Sequence, residues 1–588
     1  MTFRLKSATG TAIIAVALHC GGTSAAANAY RPITPSAGAP PVVLTGHDLS
    51  IEEVIRVARQ GAQVSVSAAA LKREADNYGL LLEAAAEGMP VYWFNRGVGD
   101  QRETVLFEGD PTAPANRAQI ERTQLNAFRG AGAAGIGPEI DSEDVVRAIM
   151  VVRANAMTFN APSPALARML VDLLNRRVTP VVQSRGTVGE GDLAQLGAVA
   201  ETMVGVGEAY YQGVRMPAAQ ALERAGLLPL QPFAADDNAL TSSNSYATAQ
   251  AALLVADARA ALEWADLIYA IDLNGMNSSV TPLSLVVQRD RPGRWLNWHA
   301  RRTLDMIKGS YLFGDDPRRI IQDPESLRAS SVRQAAAWEE WAALNEAVLF
   351  QLNSSDHNPA VAVGLGPDDA PELASPQLMH FFVRGGALSH GQHGYIVSNA
   401  NWDPYPLANK IENFTTALAN MCVAVASRIE RFRNPFFTVV SATDFLKSVE
   451  PEEYSYAPVD LLQEIQGLAV PVAPSGVALL STVEDLEAQT RLKAQRARRA
   501  VDVAVDLLGL DLIQGSLWMN VREAQDAHRT FGTAPTAAWQ ALRVRVPLRD
   551  PAAGPAVASE SIAATEFIRT TPAATFFPLR LPEATTVH

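Results

Sequence analysis

The sequence predicts a large, mainly α-helical protein, a bundle of long helices with a smaller loop-rich region towards its N-terminus. Three observations carry that expectation. Ala/Leu-rich tracts with helical spacing of their apolar residues occupy residues 142–155, 163–176, 193–211, 243–272, 331–350, 406–433 and 483–515. The chain has 588 residues, 48% of them hydrophobic and 19% charged, which suffices for a large soluble core. The tract 483–515 is charged in its first half and apolar in its second, the pattern of a helix running from the surface into a bundle core. A length prior of roughly 150 residues per domain allows about four domains, but long helical proteins exceed that prior.

The elements follow in order. Arg4 and Lys6 precede a short apolar stretch, residues 11–18, and Ala27-Asn28-Ala29 offers an A-x-A cleavage site before Tyr30. This reads as an export signal at 1–29, with a periplasmic or secreted mature protein; the stretch is too short to span a bilayer. Cys20 suggests a lipoprotein alternative, which His19 fits poorly. Cleavage after Ala29 leaves Cys422 alone and no intrachain disulfide. A Pro-rich leader covers 30–41, an N-terminal domain 42–230, a central helical bundle 231–530, and an Ala/Pro/Thr-rich C-terminal appendage 531–588. Within the N-terminal domain, residues 50–61 read as a helix capped by Asp48 or Ser50, and residues 64–88 as an Ala-rich helix ending at Gly88-Met89-Pro90. The aromatic-rich residues 91–100 then run into glycines as a strand or a turn.

Several function classes are disfavoured. Net charge is −13 without a dominant basic block, which argues against nucleic acid as a partner. The basic run 491–499 reads as a solvated helix face. His390 and His393 form an HxxH pair without a convergent carboxylate, weak grounds for zinc, so no metal is expected. Neither a phosphate-binding glycine loop opening a helix nor a G-x-S-x-G elbow is present.

The residues that carry chemistry lie between the helical tracts. Gly186-Thr187-Val188-Gly189-Glu190-Gly191-Asp192-Leu193-Ala194-Gln195-Leu196 resembles the G-S-V-G-A-S-G-D-L-A-P-L loop of the histidine and phenylalanine/tyrosine ammonia-lyase family. In that family Ala-Ser-Gly cyclises into the electrophilic methylidene-imidazolone, MIO. Here the loop is one residue shorter, Glu190-Gly191 replaces the triplet, and no serine or cysteine is present to dehydrate. The resemblance covers residues 42–530 and implies the fumarase/aspartase-like helical bundle, with homotetramers whose active sites draw on three subunits. Gly207–Gly213 and Pro217–Leu222 match the family segment after the loop.

The resemblance also implies site residues. Val91-Tyr92-Trp93-Phe94-Asn95-Arg96-Gly97-Val98-Gly99 is similar to V-Y-G-x-N-T-G-F-G, whose tyrosine removes the substrate β-proton. That makes Tyr92 a base and Asn95 a substrate contact; on its own the segment also fits a buried aromatic before a turn. A tyrosine base needs surroundings that stabilise phenolate, since its free pKa is near 10. Gln322-Asp323-Pro324-Glu325-Ser326-Leu327-Arg328 resembles Q-D-P-Y-S-L-R. It implies Arg328 as the carboxylate clamp, Gln322 as a neighbour, and Glu325 in place of the family tyrosine; an arginine there also suits a structural ion pair. Leu352-Asn353-Ser354-Ser355-Asp356-His357-Asn358-Pro359 resembles L-N-S-x-x-D-N-P, with Asn358 at the substrate and His357 at the aspartate position. Ser398-Asn399-Ala400-Asn401-Trp402-Asp403-Pro404 matches G-N-F-H-G-E-P at Asn399 and Pro404.

Ser481-Thr482-Val483-Glu484-Asp485 resembles the stretch ending Q-E-D, which implies an active-site Glu484; a carboxylate favouring a helix N-terminus is the plainer alternative. Glu452 falls where relatives carry Met or Lys, Ser242 where they carry the asparagine supporting MIO, and Gly132 where histidine lyases carry a substrate-contacting histidine.

Electrophile and supporting asparagine are both replaced, while the implied base and clamp remain. The expectation is a carbon–nitrogen lyase acting without MIO, hence with no cofactor. It would eliminate an amine from an amino acid or betaine, with Glu190, Glu325 and Glu452 suited to a quaternary ammonium. The ergothionase branch of the family, which releases trimethylamine, is similar in this respect. A conventional histidine or aromatic amino acid ammonia-lyase or aminomutase, and a non-catalytic scaffold, are the alternatives.

Overall fold

The computed structural model describes residues 30–131, 134–432, 456–473, 477–548 and 560–583. The signal 1–29, Gly132 and Glu452 lie outside the described residues.

The N-terminal part opens with β1 (Val42–Leu44) and β2 (Val64–Val66), a parallel pair with Val42 opposite Val64. Between them runs α1 (Ile51–Gln60). Ser50, not Asp48, is its cap: Ser50 Oγ accepts from Glu53 N at 3.2 Å while Ser50 N donates to Glu53 Oε2 at 3.0 Å. Gly61, with φ of 69°, closes the helix. The tract 64–88 is thus a strand followed by α2 (Ala68–Ala86), since Ser67 starts the helix by accepting from Ala70 N.

Next come β3 (Ile136–Glu139), α3 (Glu143–Ala156), α4 (Pro164–Arg176), β4 (Val178–Pro180), β5 (Gln183–Arg185) and α5 (Leu193–Met203). The tract 193–211 does not stay helical. Gly205 and Gly207 adopt φ of 77° and 73°, and the chain turns into β6 (Glu208–Tyr211), which pairs with β4 and with β7 (Val214–Pro217).

The bundle consists of α6 (Ser245–Met276), α7 (Arg294–Met306), α8 (Ser330–Leu352), α9 (Tyr405–Arg431), α10 (Ala457–Leu468) and α11 (Thr490–Gln525). At ~1.5 Å per residue, the 32 residues of α6 run roughly 48 Å and the 36 of α11 roughly 54 Å. Nearly every α6 side chain is buried, as its apolar character on all sides requires. Gly275 on α6 and Gly515 on α11 let the two helices meet: a Cβ on Gly515 would lie 2.5 Å from Asp272 Oδ1.

The acids that α6 takes into the core are paired. Asp272 receives Arg428 Nε at 2.6 Å, and Asp511 of α11 receives the same guanidinium at 2.6 Å. Burial, then Asp511, pushes the Asp272 carboxyl well above the usual carboxylate range.

Two further helices, α12 (Thr533–Arg545) and α13 (Glu560–Thr570), belong to the segment expected as an appendage. They are integral to the core instead. Trp539, Leu542, Phe567 and Ile568 are buried, and Trp264 Nε1 of α6 donates to Thr571 O at 2.9 Å. The basic run 491–499 is likewise only partly solvated: Lys493 is buried against Glu412, while Arg496 and Arg499 hold α10 onto α11.

Candidate active site

The loop 186–192 lies where three helices begin. Asp192 N donates to Ser243 O at 2.7 Å, and Asp192 Oδ2 accepts from Ala247 N at 2.9 Å, in the first turn of α6. Asp192 immediately precedes α5, and Gln489 N, at the start of α11, donates to Val188 O at 2.8 Å. Helix N-termini carry partial positive charge, so the loop sits where negative charge is favoured.

The backbone requires glycine. Gly186, Gly189 and Gly191 have φ of 121°, 98° and 124°. Gly189 has a second reason, because a Cβ there would stand 2.6 Å from Gln489 N and 2.9 Å from Thr490 N. Thr187 Oγ1 closes the loop by donating to Gly191 O at 2.9 Å and accepting from Gly189 N at 3.2 Å.

Glu190, the residue standing for the missing triplet, points a buried Oε1 at no hydrogen-bond partner among the described residues. Burial, reinforced by Glu484, Asp403, Glu487 and Asp485, pushes its carboxyl up to about 7. The group is therefore poised to be neutral or charged near neutrality.

Tyr92 follows α2 on a tight turn, so of the two expectations for 91–100 the turn holds. Its Oη accepts from Gly99 N at 3.2 Å. Burial raises its pKa and Glu484 adds to the rise, while the Gly99 N–H and Arg102 oppose it. Asn95, expected as a substrate contact, is buried within the turn. Its Oδ1 accepts from Val91 N at 2.7 Å and its Nδ2 donates to Met89 O at 2.8 Å, so the carboxamide holds the turn that presents Tyr92.

Glu484 is half-buried, and burial raises its pKa. It does not begin a helix. Leu480, Ser481 and Thr482 take left-handed φ of 46°, 55° and 72°, and α11 starts only at Thr490. Leu480 packs on Gly99, where a Cβ would be 3.0 Å from Leu480 Cδ1, which sets the Glu484 segment against the Tyr92 turn.

Ser242 and Asn358 meet beside the loop. Asn358 N approaches Ser242 Oγ at 3.4 Å, and Asn358 Oδ1 accepts from Asn399 N at 3.0 Å, which ties the side chain to the backbone of the 399–402 turn. Burial, aided by Arg153, lowers His357 to about 3, so a neutral imidazole occupies the aspartate position. The adjacent Asp356 carries the charge there, paired with Arg153 at 3.2 Å.

Two residues escaped sequence reasoning. Asn244 Nδ2 donates to Trp402 O at 2.6 Å, bringing Asp403 within electrostatic reach of Glu190. Asp403 stands in the glutamate slot of G-N-F-H-G-E-P, where retained charge was the available signal. Asn244 itself is fully buried, and its Oδ1 has no hydrogen-bond partner among the described residues.

Gln322, Glu325 and Arg328 lie elsewhere. They line a cavity of about 580 Å³ together with Arg291 and Ser331. Arg328 Nε donates to Asp323 O at 2.6 Å, and no carboxylate among the described residues forms an ion pair with its guanidinium. Tyr269 Oη of α6 donates to Leu327 O at 2.8 Å. Tyr269 follows Ala247, the contact of the 186–192 loop, by 22 residues on one helix, roughly 33 Å at ~1.5 Å per residue. A single chain therefore brings Tyr92, Glu190, Glu484 and Asp403 together and leaves Arg328 far from them.

The model of the aromatic amino acid lyase family matches residues 49–544. Histidine ammonia-lyase from Sorangium cellulosum is 29% identical over 499 residues, 82% of this chain and 89% of that protein. Histidine ammonia-lyase from Treponema denticola is 30% identical over 398 residues, 67% and 71% of the two chains. Among solved structures, the ergothioneine-degrading ergothionase from Treponema denticola, in complex with desmethyl-ergothioneine sulfonic acid, superposes with a TM-score of 0.74 at 24% identity, covering 90% of this chain and 99% of that one. Tyrosine aminomutase from Streptomyces globisporus gives 0.74 at 21% identity, covering 92% and 100%. The helical ammonia-lyase fold is common to both.

Proposed function

The chain belongs to the aromatic amino acid lyase family, a family of carbon–nitrogen lyases, and from that premise we propose an amine-eliminating lyase that works without MIO. One observation carries this reading: Glu190, with its unpartnered carboxyl oxygen, stands where the family builds its electrophile. The residues present do not fit MIO. The loop offers no serine or cysteine to dehydrate, and it is one residue shorter than the triplet requires.

Without an electrophile, the leaving group must bring its own activation. A quaternary ammonium departs without a proton, and Glu190, Glu484 and Asp403 provide the negative surroundings a permanent cation favours. The substrate class is therefore a betaine of an amino acid, with trimethylamine and an acrylate as products; the fold shared with ergothionase agrees with this class. Tyr92 takes the β-proton; the Gly99 N–H and Arg102 favour its phenolate against the burial and the Glu484 charge that oppose it. Arg328 of a second copy holds the carboxylate, beside Gln322 and Glu325, and the assembly proposed is the homotetramer with shared sites that the family resemblance implies. The N-terminal signal directs it to the periplasm or beyond the cell.

The test is to incubate purified protein with ergothioneine, hercynine, histidine and tyrosine while following acrylate absorbance and the amine released. Trimethylamine from a trimethylammonium substrate, lost in Tyr92→Phe, supports the proposal. The names of the relatives favour a second reading, histidine ammonia-lyase. Ammonia from histidine, with an MIO-bearing peptide in the digest, would establish that reading and overturn the first.

A further inference from the structure

The Arg328 cavity has a second set of reactive groups on its wall, which the lyase reading leaves unused. Ser331, the second residue of α8, lines it. Ser331 Oγ lies 3.0 Å from His299 Nδ1, and His299 Nε2 lies 2.9 Å from Asp266 Oδ1. Asp266 is itself fixed by Arg302 Nε at 2.8 Å and by Trp338 Nε1 at 3.1 Å. Ser331 is 6% exposed, whereas His299 and Asp266 are 0% and 1% exposed, so the serine alone stands at the cavity edge.

The hydrogen-bond inventory sets the direction of this chain of contacts. Burial would raise Asp266, but His299 and Arg302 outweigh it and hold the carboxyl below its ordinary range, so it is ionised and can only accept. His299 Nε2 then donates to Asp266, and in the form of the ring with Nδ1 unprotonated that atom is an acceptor. The other hydroxyl nearby, Thr303 Oγ1, spends its hydrogen on His299 O at 2.9 Å. The Ser331 hydroxyl is therefore the donor to Nδ1. A nucleophile bonded to a base, with the base oriented by a third group, is the arrangement that activates serine.

We propose that Ser331, His299 and Asp266 form an activated serine that accepts an acyl group from small esters bearing a carboxylate. Arg328 and Arg291, on the walls of the same cavity, supply the charge that selects such an ester. In the acylation step Ser331 Oγ bonds to the carbonyl carbon and its proton passes to His299 Nδ1. The ester C–O bond breaks, and the departing alcohol takes that proton. Water then attacks the acyl-serine through the same imidazole, so that ester and water yield acid and alcohol. The N-terminal end of α8, at Ser331, favours the oxyanion formed on the way. None of the three residues takes part in the proposed elimination; the cavity is shared with it through Arg328, and Ser331→Ala separates the two activities.

The experiment uses the full-length protein. A fluorophosphonate probe is applied and the labelled peptide mapped by mass spectrometry; hydrolysis of a p-nitrophenyl hemi-ester of a dicarboxylic acid is compared with that of p-nitrophenyl acetate. Labelling is expected on Ser331 and absent in Ser331→Ala. Hemi-ester hydrolysis should fall to background in Ser331→Ala and at least tenfold in His299→Gln, and Arg291→Gln should raise KM for the hemi-ester and not for the acetate. Because His299 is fully buried, Ser331→Cys offers a second readout that spares the core: iodoacetamide should modify Cys at this position faster than Cys422. The proposal is overturned if Ser331 stays unlabelled while a control serine hydrolase is labelled, or if Ser331→Ala hydrolyses the hemi-ester at the wild-type rate.

Discussion

Mixing two inactive variants should restore activity, because the segments carrying the proposed base and the proposed carboxylate clamp are tied to opposite stretches of one long helix. Ala247 anchors the Glu190 loop and Tyr269 anchors the Arg328 turn, 22 residues apart on α6, a separation of roughly 33 Å that no amino-acid-sized molecule bridges. In a symmetric assembly each site must then take Tyr92 from one chain and Arg328 from another. Tyr92→Phe and Arg328→Ala would each be inactive alone. Reassembled at equal ratio, half of the chains supply an intact tyrosine and half an intact arginine, so about one quarter of the sites recover. Wild type mixed with the double variant gives the complementary number, about half of the wild-type input activity. The assay is acrylate absorbance after co-refolding differently tagged chains and isolating the mixed species. Mixtures no more active than the separate variants, together with wild type undiminished by the double variant, would show that one chain holds the whole site.

Three other outcomes follow from the described geometry. Glu190→Gln should raise KM for a trimethylammonium substrate roughly tenfold, the loss of a charge-assisted contact worth about 1.5 kcal/mol. Because the Glu190 carboxyl is pushed up to about 7, wild-type affinity should itself weaken as pH falls through that value, and a variant with the same pH profile would refute the assignment. Asp272 is raised in the folded state, so its contribution to stability is complete below the ordinary carboxyl pKa and is lost as pH rises towards the folded value. Within that window the wild type loses up to about 1.4 kcal/mol per pH unit from this group, and Asp272→Asn should not; thermal melts from pH 4 to 9 that run parallel would count against it. Ser50→Ala removes half of the capping box on α1 and should cost about 1 kcal/mol in urea unfolding, with m unchanged.

Helix identity was legible wherever apolar spacing and a serine cap coincided, as at Ser50 and Ser163, whose hydroxyls accept from Glu53 and Leu166. Helix ends were less so. At 193–211 apolar spacing continues past Met203, but two positive-φ glycines redirect the backbone. At 480–482 three successive non-glycine residues take left-handed φ and delay the helix to Thr490, a tertiary choice that no local propensity announces. The chemistry-bearing loops were readable as motifs, because their glycines and carboxylates are fixed by conformation and charge. Asn95 shows the limit: motif position suggested a ligand, whereas both polar atoms of the side chain are committed to the turn. The remoteness of Arg328 depends on where two loops sit along α6, and that distance follows from packing.

The anchoring of the 186–192 loop also ties the starts of three helices to one another. Gln489 N holds Val188 O, Asp192 N holds Ser243 O, and a Cβ at Gly189 would meet the backbone nitrogens of Gln489 and Thr490. A change in loop length must be absorbed between Gly189 and Asp192, where Glu190 stands, or be passed to α11. That helix is 36 residues long and packs along α6, α9 and α13. The loop thus acts as a pin that sets how α5, α6 and α11 begin together.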